Sequence, residues 1–282
     1  MNNSEKIRNR VISLILSFLL SVFLLITSTT LVINGFILDG NGVSASLREV
    51  NYHEGAYVQI RETIGDRLIP TNLPNSIIDD AFTSDTVYND LNDYLTQMFA
   101  NDLPNFERES IAEIVNSNID YYLDEIGLTR AEVGDAVIDD IVEMVIDNYN
   151  NFVSTSYFAY MARVSNLLRN HILLLIATGL LGILVTTAII YSISRHLKFA
   201  AFRYYAFSFG TTALMLIIAP LTLRIWGGHH GLRIIPERTY YFIVTHIERT
   251  ISTFLLVGAV FVVLYLIFIF ISARLQKKVQ QA

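Results

Sequence analysis

The chain has 282 residues, 52% of them hydrophobic, with a mean hydropathy of +0.44 and a net charge of −6. That composition excludes a disordered chain and argues against a simple soluble domain. The charge is unevenly placed: residues 35–169 hold 23 of the 26 acidic and seven of the 20 basic residues, a net −16, which leaves the rest at +10.

Residues 1–10 carry Lys6, Arg8 and Arg10 and lead into Val11–Ile33, an apolar run with no ionisable side chain. Its length matches the roughly 20 residues that a helix needs to cross a bilayer core. Val43-Ser44-Ala45 has the small-residue character of a signal-peptidase site, but it lies beyond a run too long for a signal peptide. A retained signal-anchor is the expectation.

Residues 34–171 are expected to form an acidic, helical, extracytoplasmic domain, large enough to bury its own core. Gly35, Gly40 and Gly42 are read as loosening the chain after the first span. Leu47, Val50, Tyr57, Ile60, Ile64 and Leu68 then recur at helical spacing up to Pro70 and Pro74. Next comes a helix near 85–100, with Val87, Leu91, Tyr94, Leu95 and Met98 on one face. Pro104 separates it from a helix over 107–126. Gly127 is placed to end that helix, and Thr129 with Glu132 forms a capping box for the following one. In that next helix Val133, Val137, Ile141, Val145 and Tyr149 recur every four residues, opposite Asp135, Asp139, Glu143 and Asp147. It is expected to continue into the second span as a rigid stalk.

Three more ionisable-free runs follow: 172–193, 204–223 and 250–273. They are joined by a short link, 194–203, and a basic loop, 224–249, and they end in a tail, 274–282. The termini and the link together hold nine basic residues against Glu5, so the positive-inside rule keeps all three cytoplasmic. The fold class expected is an all-α integral membrane protein of the cell membrane. It has four transmembrane helices and a large helical extracytoplasmic domain between helices 1 and 2. Pro220 is expected to kink the third span, and Pro236 to open the last helix.

Candidate chemistry is sparse. The Asp135/Asp139/Glu143/Asp147 series is a candidate divalent-cation surface, but a four-residue step drifts about 40° around the helix, so only neighbours converge. A solvated acidic face is preferred. His53, His171, His229, His230 and His246 fall on the outer side, where imidazole suits zinc binding or pH sensing. Adjacent histidines such as His229-His230 are not expected to chelate one ion together, and His246 and Glu248 lie on different faces of one helix.

Arg224, Arg233, Arg238 and Arg249 make the loop 224–249 positive, with docking under the acidic domain preferred to binding of lipid headgroup phosphates. Ser13, Ser17 and Ser21, Ala206 with Gly210, and Gly179 with Gly182 are small residues at spacings that let helices approach closely. The spans hold no charged relay, which counts against ion-coupled transport. Catalytic motifs are absent, and the acidic domain would repel nucleic-acid phosphates. No catalytic, cofactor or metal residue is assigned, and no cofactor is expected. The expected partners are the lipid bilayer and a protein at the outer domain. The expected role is a non-catalytic surface interaction, sensing or accessory module. Its alternatives are an enzyme acting on lipid or lipoprotein through His229, His230 or His246 with Arg238 or Arg249, and an oligomeric pore.

Overall fold

The computed structural model describes residues 3–102, 108–154, 156–195, 198–234 and 237–281. Pro104, Pro236 and the first residue of the helix expected over 107–126 lie outside them. The described residues form ten α-helices and no strand: α1 (Asn3–Val32), α2 (Gly40–Glu49), α3 (Tyr52–Leu68), α4 (Ser84–Ala100), α5 (Glu109–Glu125), α6 (Arg130–Val133), α7 (Asp135–Val153), α8 (Ser156–Ile193), α9 (Lys198–Trp226) and α10 (Glu237–Gln281). Four of them, α1, α8, α9 and α10, are long and apolar enough to cross a membrane. α9 continues through Pro220 to Trp226. The chain divides into two compact units, Met1–Ile37 with Leu168–Arg233 and Ile243–Ala282, and Leu38–Leu167 with Ile234–Phe242.

In the first unit, small side chains set the helix packing. Ser13, Ser17 and Ser21 of α1 are all buried. Ser17 meets Ser208 of α9 with their Oγ atoms 3.0 Å apart. The Ser208 hydroxyl donates to the Ser17 carbonyl at 2.7 Å, Ser17 to the Tyr204 carbonyl at 2.9 Å, and Thr212 to the Ser21 carbonyl at 3.2 Å. Short side chains make this possible, because their hydroxyls reach the neighbouring backbone only when the helices lie close. α8 closes on α1 in the same way: a Cβ at Gly179 would overlap Thr27 Oγ1, and one at Gly182 would stand 2.6 Å from the Phe23 ring. On the far side of α9, a Cβ at Gly258 of α10 would stand 2.6 Å from Ile217. Tyr205 of α9 donates to the Thr187 carbonyl of α8 at 2.9 Å, and Ser272 of α10 to the Phe199 carbonyl at 2.8 Å. The outward faces are apolar, with Leu174, Leu181 and Leu184 of α8 and Leu256, Val263 and Phe270 of α10 exposed.

The second unit is an all-helical domain with its own core. Ile60, Ile64 and Leu68 of α3 are buried with Val87, Leu91 and Leu95 of α4, Val115 and Ile119 of α5, and Val145 and Tyr149 of α7. Local chemistry sets the helix ends. Asp39 caps α2 by accepting from the Gly42 N–H at 3.2 Å. Thr83 caps α4 by accepting from the Thr86 N–H at 3.1 Å. α5 stops as Gly127 takes φ +76°, with the Leu128 N–H returning to the Leu123 carbonyl at 2.9 Å. Glu132 accepts from the Thr129 N–H at 2.7 Å, and that contact holds its carboxyl below the usual carboxylate range.

A polar network ties α4 to α7 inside this unit. The Tyr149 hydroxyl donates to Asp90, and Arg108 Nη1 lies 2.9 Å from the same carboxylate, with its guanidinium 5.0 Å from the Tyr149 ring centre. Burial, and then the Asp90 carboxylate, push the Tyr149 phenol up from its ordinary value. Both charged partners are only partly buried, so truncating one leaves the other partly solvated, at a cost of about 1–3 kcal/mol.

Several local expectations need correction. Gly40 and Gly42 do not loosen the chain but start α2, where both are buried; a Cβ at Gly40 would already touch Phe99 at 3.4 Å. The apolar stretch 47–68 is two helices, split where Asn51 adopts φ +48°. Phe99 rather than Met98 completes the buried face of α4. The buried stripe of α7 is Ile138, Ile141, Val142, Val145 and Tyr149, while Val137 is 49% exposed. A strict four-residue step rotates off the face, so its earlier members miss the core. The capping box starts only the single turn of α6, which Gly134 ends at φ +97°. Nor does α7 run on as a stalk: it ends at Val153, where Ser154 leaves the helix at ψ +51° and its hydroxyl donates to the Asn150 carbonyl at 2.6 Å.

Gly182→Leu is expected to lower stability by about 1–3 kcal/mol through overpacking against Phe23. Gly35, with nothing near its Cβ direction, serves as the control: Gly35→Ala should leave the thermal midpoint in detergent nearly unchanged. Equal midpoints for both variants would refute the close α1–α8 contact.

Candidate functional site

The clearest cluster of chemically capable side chains lies in the first unit, on the turn between α9 and α10 and the first part of α10. Gly227 takes φ +64° after Trp226, and residues 228–231 form one 3₁₀ turn, Gly-His-His-Gly. Gly228 is required here, since a Cβ would stand 2.6 Å from the Trp226 ring. The tight turn sets the rings of His229 and His230 side by side, with centroids 4.1 Å apart.

Both rings face Glu248 of α10. His229 Nε2 lies 2.7 Å from Glu248 Oε1, and His230 Nε2 lies 3.6 Å from the same oxygen. The other carboxylate oxygen, Oε2, is 3.4 Å from Arg224 Nε. The His229 side chain is buried at 5% exposure, whereas that of His230 is 54% exposed and Glu248 is 26% exposed. The cluster is therefore anchored on its inner side and open on its outer side. Three ligand-type atoms, one from each residue, lie within 4.8 Å of one another. Chemically the arrangement offers two things: an imidazole polarised by a carboxylate, and a nitrogen–nitrogen–oxygen donor set.

The remaining residues singled out from the sequence go elsewhere. His246 stacks on Phe36, with centroids 5.9 Å apart, and Arg249 lies 5.6 Å from the same ring. His171 is exposed, and His53 packs edge-on against Tyr88 in the second unit. Arg238 also belongs to the second unit. Its guanidinium lies 5.3 Å from both the Tyr52 and the Phe152 ring centres, and it donates to the Gly55 carbonyl at 3.2 Å. Residues 237–242 thus belong to the acidic unit, with Arg238 in an aromatic seat and Phe242 buried against Phe158. Asp135, Asp139, Glu143 and Asp147 are all exposed on α7, and the described residues bring no three of them together as ligands.

The pairing of Glu248 with two adjacent histidines was missed by sequence reasoning. The glycines around His229-His230 were the available signal, since they permit a turn tight enough to align neighbouring rings. Glu248 stands 19 residues from His229 and has no local pattern linking the two.

No protein-family model, no curated protein and no solved structure matches the chain.

Proposed function

We propose that the chain is a multi-pass protein of the cell membrane, with both termini cytoplasmic, whose acidic helical domain lies outside and serves as a non-catalytic interaction, sensing or accessory module. The observation that carries this reading is a compact domain with an apolar core and a run of exposed acids along α7. Along α7 the buried face is mostly apolar, while Asp135, Asp139, Asp140, Glu143 and Asp147 all stand exposed. Such a surface attracts cationic protein faces and disfavours anionic ones.

The orientation is supported by the nine basic residues of the two termini and the short link, opposed by Glu5 alone. Retention of the first helix as a signal-anchor is supported by the burial of Val43 within α2, because peptidases need an extended, accessible segment and Val43-Ser44-Ala45 is helical. The surrounding lipid bilayer is the other partner in this reading, seated on the apolar outer faces of the four long helices.

A second reading is an enzyme acting on lipid or lipoprotein at the outer surface. One observation favours it: the His229–Glu248 imidazole–carboxylate pair beside Arg224, a combination suited to general-base chemistry.

Deleting residues 45–160 is expected to leave carbonate-resistant membrane association intact while abolishing partner capture in crosslinking pull-downs. Undiminished capture would sink the interaction role. For the enzymatic reading, His229→Ala, His230→Ala and His246→Ala variants are assayed for changes in lipid and lipoprotein products. That reading expects loss of turnover at His229 and His230, and wild-type product levels in all three would eliminate it.

A further inference from the structure

We propose that His229, His230 and Glu248 form a binding site for one divalent transition-metal ion, zinc by ligand chemistry, with a fourth coordination position left open. The donor set is two imidazole Nε2 atoms and one carboxylate oxygen, drawn from a turn and a helix that fold against each other within one unit. Two nitrogen donors select against calcium and magnesium, which take oxygen ligands, and favour zinc and its neighbours.

The spacing fits a tetrahedral ion. Ligands held about 2.0–2.1 Å from zinc in tetrahedral directions stand about 3.3 Å apart. Glu248 Oε1 lies 2.7 Å from His229 Nε2 and 3.6 Å from His230 Nε2, values on either side of that separation. An ion therefore enters by widening the first contact by about 0.6 Å and narrowing the second by about 0.3 Å.

The surroundings are built for the role. Arg224 engages Glu248 Oε2 and so turns Oε1 toward the two rings, the kind of outer contact that orients a ligating carboxylate. Gly227 at φ +64° and Gly228 against the Trp226 ring hold the turn in which neighbouring imidazoles face the same way. The buried His229 supplies a fixed ligand, while the half-exposed His230 supplies the entry side, from which the fourth position stays open to water or to a donor group of a substrate or partner. Three protein ligands with an open fourth position are the arrangement of exchangeable and catalytic zinc sites, whereas closed structural sites use four. This site does not depend on which way the acidic domain faces, nor on that domain having a partner.

The test uses full-length protein in detergent, stripped with a chelator and then titrated with zinc chloride against a chromogenic competitor. One equivalent of zinc per chain is expected, with calcium chloride failing to compete. His230→Ala, at a half-exposed position whose loss demands no repacking, should weaken binding about tenfold or more, as should Glu248→Gln. His171→Ala, at an exposed histidine outside the cluster, should bind as the parent does. Cobalt(II) added to the stripped parent protein should give the visible absorption of a tetrahedral complex, lost in His230→Ala. Absence of zinc binding by the parent would overturn the site. So would equal affinity in the parent, Glu248→Gln and His230→Ala proteins, or octahedral cobalt spectra.

Discussion

The close approach of α1 and α9 is the constraint on which the helical bundle depends. In a membrane, helices with faces as apolar as these would not select neighbours by burial alone, because hydrocarbon tails would cover them equally well. What selects is shape and hydrogen bonding. Ser17, Ser208 and Thr212 donate across the contact to backbone carbonyls, and larger side chains at any of these positions would push the helices apart. Gly179 and Gly182 then admit α8, and Gly258 admits α10. These hydroxyls find their acceptors within the single chain.

Much of the architecture was legible because it rests on local patterns. Four ionisable-free runs, the Gly127 stop and the Thr129–Glu132 cap all follow from spacing within one helix. The ladder of Ser13, Ser17 and Ser21 was visible too, but its partner was not. Ser17 and Ser208 stand 191 residues apart, and no periodicity in either helix names the other. The split between α2 and α3 escaped notice because one left-handed Asn51 interrupts an apolar pattern that remains continuous across it. The end of α7 at Ser154 escaped for a related reason: neither proline nor glycine marks it, only a serine whose hydroxyl turns back to Asn150.

The loop 224–249 shows how total charge can mislead. Four arginines opposite a −16 domain suggested attraction between opposite charges. Instead each described contact is specific: Arg224 with Glu248, Arg249 over Phe36, and Arg238 seated between Tyr52 and Phe152. Guanidinium groups stack on aromatic faces as readily as they pair with carboxylates, so net charge says little about which contact forms. The histidine turn was the least legible part. Adjacent side chains diverge in ordinary helix and strand, and only the glycine-flanked 3₁₀ turn brings His229 and His230 to one carboxylate.

The central proposal is that the acidic domain and the cytoplasmic tail lie on opposite sides of a membrane, and a chain with no cysteine of its own makes this directly measurable. The variants Asp139→Cys, on the exposed face of α7, and Lys277→Cys, in the exposed tail of α10, are treated with a membrane-impermeant maleimide in intact cells. Labelling of Asp139→Cys before lysis, with Lys277→Cys labelled only after permeabilisation, is the expected result. Labelling of Lys277→Cys in intact cells while Asp139→Cys stays protected would contradict the outward placement of the domain.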